Sequence, residues 1–312
     1  MIHYFIINPV AGSVDSSEIL EEKLKSIFAN RNDEYITYIT KGPGDCSEEI
    51  KRVCEQNEAS LNPLEYTFYI CGGDGSSFEG VNGVVGFKHA RFTIIPVGSC
   101  NDFLKTFPEY DFLDIESLID GVERKIDVLK VNDFYSINVV NIGFDARVNY
   151  DCCEMKTKYK DVKKAYNKAI IKNLFKPLGD KVTITVDGEE YFNDKALLMA
   201  FANGMYYGGG YKCAPKSSVD DGLIDLVLVK KVGIIKFATL VGKYKKGEHL
   251  DNPKFNKIVL YKQIKKATIE GENILCLCVD GETFHVKKID IEIIPHAVRF
   301  VFPNHKIIKD VA

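Results

Sequence analysis

Over the first hundred residues, short apolar runs alternate with stretches whose apolar residues recur every three or four positions. His3 to Asn8 reads as a strand. Asp15-Ser16-Ser17-Glu18 has the form of a capping box, ahead of a helix whose apolar face is Leu20, Leu24, Ile27 and Phe28. Glu34 to Thr40 is a second strand and Gly42-Pro43-Gly44 a loop. Cys46, Ile50, Val53 and Cys54 then mark a second helix. Tyr66, Phe68, Tyr69, Ile70 and Cys71 form a third, aromatic-rich strand, which breaks into Gly72-Gly73-Asp74-Gly75-Ser76. Phe78, Val81, Val84 and Val85 follow at helical spacing, and RFTII at 91–95 is a fourth strand. Strands alternating with helices predict a doubly wound parallel sheet, whose ligands bind at the carboxyl ends of the strands.

Near Arg124 the pattern changes to short strands separated by turn residues. They begin with KIDVLKV and FYSINVVNIG and close with ILCLCVDG and KIDIEIIP. A largely antiparallel β-sandwich is predicted, giving an N-terminal α/β domain over 1–124 and a β domain over 125–295. Between Glu154 and Lys181 lie nine lysines. There Tyr159, Val162, Tyr166, Ala169 and Ile170 share one helix face. A basic amphipathic helix can lie on an anionic membrane, or its stripe can pack on the sandwich.

Composition narrows the class. Of 312 residues, 46% are apolar and 27% charged, an ordinary globular balance. Net charge is 41 minus 44, or −3, so nothing global points to nucleic acid. No apolar run approaches the roughly 20 residues needed to cross a bilayer. Nine cysteines without a CxxC argue against zinc and for reduced, mostly buried thiols, as in a cytoplasmic protein.

The chemistry gathers at strand ends. Three glycines in the 72–75 turn let the backbone come close to another molecule, and the amides opening the following helix suit an anion. Asp74 among them would repel a bare phosphate, so a metal ion between them is the natural supposition. A tight strand-to-helix connection is the plainer alternative. Neither GxxxxGK[ST] nor GxGxxG with a later acidic partner occurs, which argues against a P-loop and a dinucleotide fold.

Asn8-Pro9-Val10-Ala11-Gly12, then GGDGSSFEGVNG at 72–83, then PVGSCNDF at 96–103 stand in an order that resembles the diacylglycerol kinase catalytic-domain family. This is the soluble bacterial lipid kinase group, related to sphingosine and NAD kinases. The resemblance implies a nucleotide-binding α/β domain and a lipid-substrate β-sandwich across a cleft, with residues 296–312 returning to the first domain. It implies ATP and Mg²⁺ as cofactors. Asn8, Pro9, Gly12, Thr40, Gly72, Gly73, Asp74, Gly75, Ser76, Glu79, Gly98, Ser99, Asn101 and Asp102 would surround ATP. Asp74 and Asp102, joined by Asp127, would hold Mg²⁺. Asp102 also reads as a helix N-terminal residue. A structural magnesium would take Asp221 with the carbonyls of Ser218 and Leu223, where a plain Asp-Gly turn is the alternative. Asn203 to Gly210, with its triple glycine, also matches a family segment. So does Asn141 to Ala146.

VDGE occurs twice, at 186–189 and 279–282, each time between strand-like runs, so each reads as a hairpin. The family's catalytic DGE lies late in the chain, which selects Asp280 and Glu282, with Glu282 as the proton acceptor. Two departures stand out. Ser76 and Ser99 replace the family's usual threonines, and no basic residue follows Gly12 before Lys23. The expected activity is ATP- and Mg²⁺-dependent phosphorylation of a lipid hydroxyl, foremost diacylglycerol, by a cytoplasmic protein associated peripherally with a membrane surface. NAD kinase and an inactive lipid-binding homologue are the alternatives. An exposed sheet edge could also pair two subunits as a homodimer.

Overall fold

The structure is a computed structural model and describes residues 1–12, 15–98, 100–156 and 162–307. The chain divides into two compact units. Unit 1 comprises residues 1–127 with 295–312, and unit 2 comprises 128–294. The chain passes between them within β5 (Val122–Val131) and within β13 (Glu282–Phe302).

In unit 1, β1 (Ile2–Ile7), β2 (Glu34–Ile39), β3 (Tyr66–Gly72) and β4 (Ala90–Pro96) are parallel, in the order β4-β3-β1-β2. All of β1 is buried and nearly all of β3, as a sheet covered on both faces requires. Phe5 and Tyr69 stack across that pair at 4.3 Å between ring centres. β2 ends the order, with Ile36 and Ile39 exposed. The last stretch of β13 joins in parallel beside β4 through Phe300 and Phe92, and the short helix α4 (Ile115–Ile119) leads into β5.

Helix α1 (Ser17–Phe28) buries Leu20, Leu24 and Phe28, but the expected capping box does not form. The Ser16 side chain caps nothing; Asp15 Oδ1 instead accepts the Ser17 amide (2.9 Å) and hydroxyl (2.6 Å), closing an Asx turn. Helix α2 (Asp45–Glu58) packs on α3 (Asp74–Val84) at Gly83, and α3 packs on β3 at Gly80. A Cβ on Gly83 would lie 2.8 Å from Ile50 Cβ, and one on Gly80 would lie 2.9 Å from Ile70 Cγ1. Glycine costs a helix about 1 kcal/mol relative to alanine, and the close approach offsets that cost.

Unit 2 is antiparallel, as the short-strand pattern predicts. Its strands include β6 (Phe134–Ser136), β7 (Val139–Gly143), β8 (Asp180–Val186), β9 (Glu189–Ala202), β10 (Ile224–Lys230), β11 (Val259–Ile264) and β12 (Lys266–Val279). β9 and β12 are long and each pairs with three strands: one half of each meets β8 and the other β7, while β9 also pairs with β10 and β12 with β13. Helices α5 (Phe144–Lys156), α6 (Val162–Leu174) and α7 (Ile234–Lys245) contribute to one apolar cluster with residues of β7, β9, β10 and β11. Ala165 and Ala169 of α6 are buried there, with Tyr166 and Ile170 against them. The apolar stripe of the lysine-rich segment is therefore used in packing; Tyr159 lies outside the described residues. All nine cysteines are free and most are buried. Among the described residues, no helix is long and apolar enough to cross a membrane.

Candidate active site

The four parallel strands of unit 1 deliver their following residues to one edge. Asn8, Pro9 and Gly12 follow β1, Thr40 follows β2, Gly72 ends β3, and Gly98 and Asn101 follow β4. Main-chain bonds lock these turns together. The Asn8 amide donates to Cys71 O (3.0 Å), Thr40 to Ile7 O (2.9 Å) and Gly98 to Gly72 O (3.0 Å). Asn8 Nδ2 donates to Ser76 Oγ at 3.0 Å.

Glycine is required at two of these positions. Gly12 has φ +85°, and a Cβ there would sit 2.6 Å from Val97 O. A Cβ on Gly98 would sit 2.4 Å from Gly73 Cα. Any side chain would push the NPVAG, GGDG and PVGS turns apart. Ser99 lies outside the described residues.

Gly73 precedes α3, so the first-turn amides of Gly75 and Ser76 open the helix beside Asp74. Asp74 Oδ1 accepts the Asp102 amide at 2.8 Å, which ties the Asp74 side chain to the Asp102 main chain. Asp102 is buried, stands at the start of the short 3-10 turn Phe103–Thr106, and pairs with Lys105 at 2.5 Å. Beside it, Asn101 holds φ +48° and donates to Gly98 O (3.1 Å), while its buried Oδ1 has no hydrogen-bond partner.

Two residues expected here are engaged elsewhere. Glu79 accepts the amides of Gly44 (2.8 Å) and Cys46 (3.1 Å), capping α2, whose own N-cap is a glycine without a side chain. Asp127 is fully buried and its Oδ1 accepts the His296 amide at 2.7 Å. Among the described residues no three acidic, histidine or cysteine side chains are gathered to hold a metal. Asp74 and Asp102 supply carboxylates that fit Mg²⁺, which typically takes one or two carboxylates and completes its shell with phosphate oxygens and water.

The two VDGE segments of unit 2 form the same turn. Asp187 and Gly188 have φ +51° and +95°; Asp280 and Gly281 have +47° and +101°. Val186 pairs with Glu189, and Val279 with Glu282. Both are two-residue hairpins with positive φ at each central residue. Their surroundings differ. Asp187 is exposed and accepts the amides of Lys265 and Lys266. Asp280 is buried and accepts the Ser136 hydroxyl (2.6 Å) and the amides of Ile137, Asn138 and Val139. Burial pushes its carboxyl up to about 6, against those hydrogen bonds. Asn149 Nδ2 donates to Gly281 O at 2.7 Å, pinning the turn from α5. Glu282, the next residue, is exposed. Asp280 therefore positions the turn. The partners Ser136, Asn138 and Asn149 carry no local sequence signal for that part.

Asp280→Ala should lower the melting temperature sharply, because it strands three amides and a hydroxyl at about 1–3 kcal/mol for each unsatisfied group. Asp187→Ala, on an exposed turn, should cost under about 1 kcal/mol by the same reasoning. Thermal denaturation followed by circular dichroism compares the two, and equal losses would contradict the difference in role.

In the other expected metal loop, Asp221 Oδ1 accepts the Leu223 amide (3.0 Å), and the Ser218 hydroxyl donates to Asp220 Oδ1 (2.8 Å). The carboxylate closes an Asx turn, the geometry of the plain Asp-Gly alternative.

Interlocked glycine turns at the strand ends of an α/β unit, joined in sequence to an antiparallel β unit, fit the class of phosphoryl-transfer enzymes. Comparison with known proteins supports this. Residues 3–131 match the diacylglycerol kinase catalytic domain, and residues 138–302 match the YegS C-terminal NAD kinase beta sandwich-like domain. The chain is 29% identical to a diacylglycerol kinase of Bacillus subtilis, over 89% of this chain and 88% of that one. It is 30% identical to a probable YegS-like lipid kinase of Shewanella frigidimarina, over 75% of each. A solved structure of a putative diacylglycerol kinase from Bacillus anthracis superposes with a TM-score of 0.74 at 27% identity, covering 96% of this chain and 97% of that one. The chain belongs to the diacylglycerol kinase family of lipid kinases.

Proposed function

We propose that this lipid kinase transfers the γ-phosphoryl group of ATP to the hydroxyl of diacylglycerol, with Mg²⁺. The interlocked turns of unit 1 support the reading: Gly12 against Val97, Gly98 against Gly73, and Asn8 bonded to Ser76 gather glycines and small side chains at one edge, the chemistry by which backbone amides hold a triphosphate. Asn8, Pro9, Gly12, Thr40, Gly72 to Ser76, Gly98, Ser99 and Asn101 are assigned to the nucleotide. Asp74 and Asp102 would hold Mg²⁺, whose charge neutralises the phosphate oxygens when bound. Glu282 accepts the proton of the attacking hydroxyl, and Asp280 holds its turn. Asp221, with main-chain oxygens of Ser218 and Leu223, would hold a second, structural magnesium. The protein works as a cytoplasmic enzyme at a membrane surface.

Purified protein incubated with γ-labelled ATP, Mg²⁺ and mixed micelles of diacylglycerol should yield labelled phosphatidic acid on thin-layer chromatography. Parallel reactions contain a sphingoid base, monoacylglycerol or NAD. Label in NADP alone would overturn the reading, and label in another lipid would move the substrate while keeping the class.

A further inference from the structure

The twin hairpins of unit 2 have the same backbone but are not held alike. In the turn at 186–189 the Asp187 carboxylate accepts the amides of Lys265 and Lys266, and the glycine stands open: a Cβ on Gly188 would meet nothing within 4 Å. A two-residue turn of this form therefore needs no support at its glycine. The turn at 279–282 has such support, from a residue 132 positions earlier. Asn149 Nδ2 of α5 donates to Gly281 O at 2.7 Å and lies 3.5 Å from Cys278 Sγ. The Gly281 amide bonds to that same sulfur. Gly281 is thus held at both its N–H and its carbonyl.

The carbonyl that Asn149 grips belongs to the peptide joining Gly281 to Glu282. That peptide is planar, so its oxygen and the Cα of Glu282 move as one body. Fixing the oxygen fixes the base from which the Glu282 side chain projects. Asn149 itself sits on an anchored helix. Val148 and Cys152 are buried in the apolar cluster of unit 2, and Ala146 packs with Cys276 and Cys278 of β12. Tyr150 meets His285, three residues beyond Glu282, edge-on at 5.0 Å. Asp151 is buried and accepts from Lys172 (2.7 Å) and Asn173 (2.6 Å) of α6 and from Lys176 (3.2 Å) beyond it. Three successive residues of α5 therefore tie the hairpin on either side of Glu282 and tie the helix to its neighbour.

We infer that Asn149 is a positioning residue for phosphoryl transfer, setting the direction of the Glu282 carboxylate through the Gly281 carbonyl. This rests on the assignment of Glu282 as proton acceptor and adds the part of the fold that aims it. Asp280 seats the turn on the 136–139 segment. Asn149 constrains the one peptide next to the base. A general base acts only within hydrogen-bond reach of its proton, and a misplacement of about 1 Å can cost about 10²-fold in rate.

Asn149→Asp keeps the shape of the side chain and loses the donor. Asn149→Ala loses both, while alanine favours a helix more than asparagine does, so α5 persists. With γ-labelled ATP and diacylglycerol, each variant should lower kcat by about tenfold and leave KM for ATP near normal. The melting temperature by circular dichroism should move little. In a Glu282→Gln background neither change should lower the rate further, because residues acting through one another do not lose activity additively. The same loss persisting in Glu282→Gln would reveal a role independent of the base and overturn the inference. Normal kcat in Asn149→Asp would overturn it too, as would a sharp fall in melting temperature with kcat unchanged. Full activity in Glu282→Gln would overturn the base assignment and this inference with it. An inactive Glu282→Gln beside fully active Asn149 variants would overturn this inference alone.

Discussion

Asp74→Asn should lower lipid phosphorylation by about a thousandfold at saturating ATP and Mg²⁺, within the range seen when one charge-stabilising group is lost from a phosphoryl or acyl site. Asn keeps the oxygen that accepts the Asp102 amide, so the local fold survives while the charge is removed. Asp74→Ala loses both, adding about 1 kcal/mol of destabilisation from the broken hydrogen bond. Comparing the two separates charge from structure: both should be inactive, and only alanine should melt earlier. Near-normal turnover in Asp74→Asn would remove the proposed metal role, because no other group at this edge combines a carboxylate with the open first turn of α3.

Glu282→Gln comes next in expected size. A positioned general base contributes about 10²- to 10⁴-fold, and that loss should fall on kcat while KM for ATP stays close to normal. The residue is exposed at the start of β13, so the melting temperature should not move. Glu189→Gln supplies an internal control, since its turn has the same backbone and the same four residues but a different neighbourhood. A loss of activity in Glu189→Gln, with Glu282→Gln unaffected, would transfer the base assignment to the other turn.

Those twin turns also show how far the sequence can be read. Asp-Gly between strand-like runs identifies both hairpins, because the positive φ they need is a local demand. That Asp280 is swallowed by the 136–139 segment is a tertiary fact, resting on groups more than 140 residues away. The same segment breaks FYSINVVNIG, one strand in the sequence reading, into β6 and β7. Glu79 stands beside the glycine loop in sequence, yet its carboxylate serves α2 some 33 to 35 residues earlier. Strands β1, β3 and β4 are legible because their near-continuous apolar runs are buried on both faces, and β2, largely exposed, by its short β-branched and aromatic run. Helices α5 and α7 are not. α5 buries Phe144, Val148 and Cys152 at helical spacing, but Ala146, buried on another side, gives residues 144–148 the alternation of a strand. α7 opens on two isoleucines that point away from the core.

Phe300 and Phe302, near the end of β13, are almost wholly enclosed by rings from residues 92–112: Phe92, Phe103, Phe107, Tyr110 and Phe112. The Asn304 amide then bonds to Ser117 O. A ribosome making this protein therefore finishes every residue of unit 2 before it releases the piece that seals unit 1. Until then the nascent N-terminal half carries an uncovered aromatic wall, and it is this half, rather than the β-rich one, that most needs shelter from aggregation during synthesis.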